Sequence, residues 1–124
     1  MGWREECIKH PSKMFGRSLS KAKERAIKRS LPFSIDKKYI MKLFDEQEGR
    51  CYYSGLQLSI VKSDKNCVHD PLKMSLDCID SEKGYVKGNV VWCAYCVNSL
   101  KQKMPVEEMI GICRQIVKKA DENI

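Results

Sequence analysis

The sequence predicts an α+β protein whose centre is a ββα unit, a two-stranded antiparallel hairpin followed by a helix, with further helices on its flanks. Three observations predict it. SLDCID, from Ser75, alternates apolar and polar residues as a half-buried strand does. A Gly-rich turn, SEKGYVKG, separates it from a second apolar run, NVVWC. A polar helix start bearing Asn98 and Lys101 comes next, so that the unit occupies about 75–103.

The remaining elements follow from local signals. The first fifteen residues have weak periodicity and read as a loose or partly docked arm. A basic helix is expected from Ser18 to Ser30, stopped by Leu31-Pro32 because the residue before proline avoids helical dihedrals. Ser34 or Asp36 can cap a second helix, whose Ile40, Leu43 and Phe44 recur at helical spacing and which Gly49 can end. In CYYSGLQLSI, Ser54-Gly55 marks a turn before a short apolar segment, and Val61 to Pro71 reads as a polar surface loop holding Cys67 and His69. Met104-Pro105 breaks the helix of the ββα unit, with Pro105 placed as the first residue of the next. There Val106, Met109, Ile110, Cys113, Ile116 and Val117 form one apolar stripe, expected to cover the back of the small sheet, with Cys113 an ordinary buried thiol. The expected organisation is one compact domain, in which 1–33 is a basic arm and helix and 34–124 a core with a C-terminal helix.

Charge and cysteines narrow the function. The net charge is +7, and residues 1–30 alone hold nine Lys/Arg against three Glu. LSKAKERAIKRS spreads cations around its helix without regular acidic partners one turn on, which favours a polyanion over a merely solvated face. Arg17, Lys21, Lys23, Arg25, Lys28 and Arg29, with Lys87 in the hairpin turn, are the candidate nucleic-acid contacts. Tyr85, in the same turn, is the aromatic expected exposed near the nucleic acid; Trp3, Tyr52, Tyr53 and Trp92 are expected in the core. The N-terminus MGWREECIKH lacks the apolar stretch of a signal peptide, and the longest apolar run, VVWCAYCV, is too short to span a bilayer. Seven cysteines is an odd number and suits reduced thiols, some on a metal, better than a disulfide framework. The expectation is a protein that is not secreted and has no membrane partner, cytoplasmic or in a host-cell interior if viral.

In a ββα unit Asp77 on the first strand can face Asn98 on the helix across a cleft about one metal ion wide. A carboxylate and an amide oxygen are hard ligands suited to Mg²⁺, or Mn²⁺, that keeps most of its waters. Beside a basic flank, such a site points to cleavage of a phosphodiester.

These residues resemble the HNH (ββα-metal) endonucleases, especially the small ones of phages, large viruses and mobile introns. The resemblance runs from AKERAIKRSLPFSID through CYYSGLQL to SLDCID, GYVKGNVV and the helix of Asn98. It implies a metal-dependent DNA endonuclease that nicks or cuts both strands by attack of water on the phosphate. It implies that Asp77 and Asn98 hold the metal and that Asn89 ties the loop together by hydrogen bonds without performing chemistry. Lys101 is implied near the scissile phosphate, and Gly84 and Gly88 in tight positions of the connection.

The sequence departs from the family at Cys78, where the general base, usually His, follows the strand Asp and where many phage relatives carry Arg. A thiol is a poor partner for an attacking water and does not replace the Arg charge. Three arrangements stay open: His69 serves as base, Asp80 assists through a water, or the chain is slow or only binds. The family also implies a structural zinc for a C-x₂-C pair such as Cys93 and Cys96. Here the upstream pair is half present, Cys51 with Ser54 in place of its partner, so that a zinc would draw its fourth ligand from Cys67 or His69. Buried thiols without zinc are the other reading. The alternative to a nuclease is accordingly a weak or inactive nucleic-acid-binding zinc module.

Overall fold

The computed structural model describes residues 11–59 and 70–123, with side chains from residue 14 onward. Its elements are α1 (Pro11–Arg29), α2 (Lys37–Glu46), β1 (Met74–Cys78), β2 (Val90–Ala94), α3 (Tyr95–Lys101) and α4 (Val106–Glu122). The class is α+β, with one two-stranded antiparallel hairpin among the described residues.

The hairpin organises everything else. Its register pairs Met74 with Ala94, Leu76 with Trp92 and Cys78 with Val90, and between them Ser75 with Cys93 and Asp77 with Val91. Because side chains alternate along a strand, these are two different faces. The Leu76–Trp92 face looks into the main core. There the Trp92 ring meets Phe15 of α1 at 5.6 Å and Phe44 of α2 at 5.5 Å, edge to face in both contacts. Its indole N–H donates to the Ile40 carbonyl at 2.8 Å. Ala22 and Ala26 let α1 lie close, and burial of Phe15 and Phe44 stabilises the contact by about 2 kcal/mol each. The Ser75–Asp77 face is covered by α3.

Local chemistry sets the ends. Asp36 caps α2, accepting from Tyr39 N–H at 2.8 Å. α1 ends on Ser30 in the left-handed region (φ 54°), and Leu31 N–H reaches back to the Ala26 carbonyl. The chain then turns at Pro32, whose carbonyl takes Tyr85 N–H at 2.9 Å, while Ser34 N–H donates to the Tyr85 carbonyl. Gly84 allows this approach: at φ +80° an added Cβ would lie 2.6 Å from the Pro32 oxygen.

Five expectations are corrected. Tyr52 is exposed rather than in the core, and Cys113 is half-buried rather than buried. The first helix begins at Pro11 rather than Ser18, with Phe15 in the core rather than in an arm. Tyr85 is buried, because Arg25, sixty residues earlier, supplies the partner its hydroxyl needs. The C-terminal helix is no strut under the sheet. One face of the hairpin is filled by α1 and α2 and the other by α3, so α4 packs chiefly on α3 and buries Met109 alone. Residues 1–10 and the loop from 60 to 69, with Cys67 and His69, lie outside the described residues.

Candidate functional site

β1 brings Ser75 and Asp77 onto the face beneath α3, and α3 supplies Asn98 and Lys101, three residues apart and hence on one helix side. Asn98 donates its amide N–H to Ser75 Oγ at 2.8 Å and to the Leu76 carbonyl at 3.5 Å. The carbonyl partner accepts only, which fixes the amide orientation. The Asn98 oxygen is therefore the end left to accept or to ligate.

Asp77 is 7% exposed. Its Oδ2 accepts from the Tyr53 hydroxyl at 2.7 Å and lies 3.2 Å from Lys101 Nζ. Lys101 is wholly buried, and its ammonium also donates to the Cys78 carbonyl at 2.9 Å. A buried lysine needs this double satisfaction, since an unpaired ammonium out of water is strongly unfavourable. Among the described residues Oδ1 accepts no hydrogen bond. One carboxylate is thus held in a fixed rotamer through one oxygen and offers the other. Burial, then the hydrogen bond to Asp77, raises the Tyr53 phenol far above its ordinary range, so Tyr53 is a donor at neutral pH.

Asn89 occupies the start of the loop's return. Its Nδ2 donates to the carbonyls of Asp80 at 2.9 Å and Gly84 at 2.8 Å, and its Oδ1 accepts from Asp80 N–H at 3.0 Å. It closes the 80–88 loop, and its side-chain hydrogen bonds all lie within that loop. Asp80 is exposed, with one oxygen taken by Glu82 N–H.

Cys78 falls on the other side of the strand. It is buried in the main core, and burial followed by the Asp77 charge pushes its thiol up to about 11. It is a neutral core thiol at neutral pH. Near it, Arg25 donates to the Tyr85 hydroxyl at 2.8 Å and the Leu76 carbonyl at 3.3 Å, fastening α1 to β1 one residue before Asp77. Arg17, Lys21, Lys23, Lys28, Arg29 and Lys87 are exposed. Lys87 Nζ lies 5.7 Å from the Tyr39 ring centre.

The thiols of Cys51 and Cys93 are buried and that of Cys96 is exposed. Burial raises the Cys51 thiol, but hydrogen bonds from Ser54 and from backbone at Ala94, Ser54 and Tyr53 outweigh it, and its pKa is lowered on balance. Burial raises that of Cys93, reinforced by the charges of Asp77 and Cys51. Among the described residues no three His, Cys, Asp or Glu side chains are gathered to hold a metal ion. No described helix is long and apolar enough to cross a membrane.

The residue that sequence reading missed is Tyr53. Its partner lies 24 positions away on another element, and no periodicity or motif signals the pairing. No protein-family model, no curated protein and no solved structure matches this chain.

Proposed function

We propose that the chain is a small DNA endonuclease of the HNH (ββα-metal) type, hydrolysing phosphodiesters with Mg²⁺ or Mn²⁺. The observation that carries this reading is the face shared by Asp77 and Asn98. A buried carboxylate with one oxygen fixed and one uncommitted stands on the strand. An amide whose nitrogen is spent on Ser75 and Leu76 stands above the same face.

The donor set fits a hard divalent cation. Asp77 Oδ1 and Asn98 Oδ1 would hold it, and two oxygen ligands leave most of its shell to water and phosphate, as Mg²⁺ prefers. When bound, such an ion stabilises charge on the phosphate and on the leaving oxygen. The chain's own residues do the positioning. Tyr53 and Lys101 fix the Asp77 rotamer, Ser75 fixes Asn98, and Asn89 holds the loop that follows β1. The exposed cations of α1 and Lys87 would bind backbone phosphates in a salt-dependent way.

Lys101 is committed to Asp77, so its role here is to hold the carboxylate rather than to meet the scissile phosphate. Cys78 supplies no base, being protonated and on the opposite face. The proton of the attacking water would pass to His69 or, through a second water, to Asp80.

The test is paired. In a duplex cleavage assay run well below the lowered unfolding temperature of Asp77→Ala, with circular dichroism checking that each variant is folded, Asp77→Ala and Asn98→Ala should each abolish cutting while DNA binding persists; normal cutting by both variants overturns the reading. A second reading, a nucleic-acid-binding module without catalysis, is favoured by the placement of Cys78. Salt-dependent DNA binding by the wild type with no cutting in Mg²⁺ or Mn²⁺ selects it. Zinc at Cys51, Cys93 and Cys96, with Cys67 or His69, belongs to both readings. Metal analysis of protein purified without added metal decides it, and a folded, zinc-free chain removes zinc from the account.

A further inference from the structure

The candidate metal ligands stand among more positive than negative charge. Asp77 is a single carboxylate and Asn98 is neutral. Against them Lys101 sets its buried ammonium 3.2 Å from Asp77 Oδ2. Arg25 adds a second cation: its guanidinium donates to the Leu76 carbonyl at 3.3 Å, the same oxygen that takes the Asn98 amide at 3.5 Å. Burial, then the Asp77 charge, raises the Cys78 thiol, and Lys101 and Arg25 both lower it, so the three charges lie together. Among the described residues no cluster of three His, Cys, Asp or Glu side chains makes up the difference.

A protein site gains affinity for a hard divalent cation chiefly by gathering carboxylates. Here the one carboxylate is already neutralised by a resident ammonium. That ammonium has no route to water, since Lys101 is wholly buried and its other partner is the Cys78 carbonyl. Charges in such a place are poorly screened, so a further cation entering beside Asp77 meets repulsion from Lys101 and Arg25. A phosphodiester brings both the missing negative charge and the oxygen ligands that a hard cation takes. The surplus that repels a metal also attracts a phosphate. Each ligand therefore improves the site for the other, and linkage makes the two effects equal.

We propose that Lys101 and Arg25 make metal binding at Asp77 and Asn98 conditional on a bound phosphodiester. This rests on the nuclease reading of the same site. The free protein holds Mg²⁺ or Mn²⁺ weakly, DNA binds without the metal, and the ion joins only where a phosphate stands beside Asp77. Lys101 thus does more than hold the carboxylate in its rotamer: its charge sets when the site is occupied.

Mn²⁺ binding to the full chain, read by electron paramagnetic resonance with and without a short DNA duplex, tests this. The titrations are run in the cold, where hydrolysis is slow, and the Asp77→Ala complex supplies the blank for ions held by DNA alone. Wild-type protein should bind Mn²⁺ about tenfold or more tightly with DNA than without, and Mn²⁺ should tighten DNA binding by the same factor. Lys101→Met is assayed well below its lowered unfolding temperature, with circular dichroism checking its fold. Without DNA it should bind Mn²⁺ about tenfold more tightly than the wild type, a gain that loosened structure does not give. Asn98→Asp adds a negative charge at a half-buried position and keeps the buried pair, and it should give a similar gain. Equal Mn²⁺ affinity with and without DNA overturns the proposal and leaves the nuclease reading standing. So does a free-protein affinity that Lys101→Met and Asn98→Asp both leave unchanged. Mn²⁺ held equally by the wild-type and Asp77→Ala complexes overturns the proposal and the nuclease reading together.

Discussion

Replacing Lys101 with Met keeps the stem that packs under α3 and removes only the ammonium. That ammonium has no solvent exposure and two partners, Asp77 Oδ2 at 3.2 Å and the Cys78 carbonyl at 2.9 Å. Without it, a carboxylate whose side chain is 8% exposed keeps Tyr53 as its one described donor. Removing one partner of a buried pair costs about 3–5 kcal/mol, a large share of the roughly 5–15 kcal/mol that holds a domain together. For a chain of this size that corresponds to a fall in Tm of roughly 12–20 °C. Asp77→Asn should lose a comparable amount, because it strands the ammonium. The double variant strands neither charge, so its loss should fall short of the summed single losses by about 1–3 kcal/mol. Urea unfolding of the four proteins measures this cycle. A loss below about 1 kcal/mol for Lys101→Met, or additivity within about 0.5 kcal/mol, would refute the buried pair.

Asn89→Ala removes three hydrogen bonds inside the 80–88 loop and leaves their backbone partners unpaired, which should cost about 2–4 kcal/mol by urea unfolding. Gly84→Ala should destabilise more than an ordinary surface substitution, by about 2 kcal/mol or more, because its Cβ meets the Pro32 backbone at positive φ. The Cys78 thiol, raised to about 11 from a reference of 9.0, favours the folded state while protonated. Its contribution is complete below about pH 9 and is lost as pH rises towards 11, so Cys78→Ala should flatten the alkaline fall in stability. Thiol labelling in the native protein at pH 8 should mark Cys96 quickly and Cys78 slowly.

The strands, the turn between them and the Asp36 cap were legible because each depends on residues near in sequence. The hairpin faces followed from alternation alone, and Asn89 sits where the resemblance implied a loop-tying residue. What was not legible depends on distant partners. Tyr53 reaches Asp77 from another element, and Arg25 crosses sixty residues to bury Tyr85, which its charged neighbours suggested was exposed. Lys101 is the least expected, since lysine is seldom fully buried and only the carboxylate opposite explains it. The stripe on α4 was read correctly as apolar. Periodicity states that a face needs covering; it does not state by what, and here the hairpin has no face left to give.

The most direct test of the central claim is the nicking of supercoiled plasmid by the wild-type chain in Mg²⁺ or Mn²⁺, with EDTA and Asp77→Ala beside it. The account predicts open-circular product that needs both the metal and Asp77. Plasmid left intact by protein that still binds DNA, or nicked equally by Asp77→Ala, would contradict it.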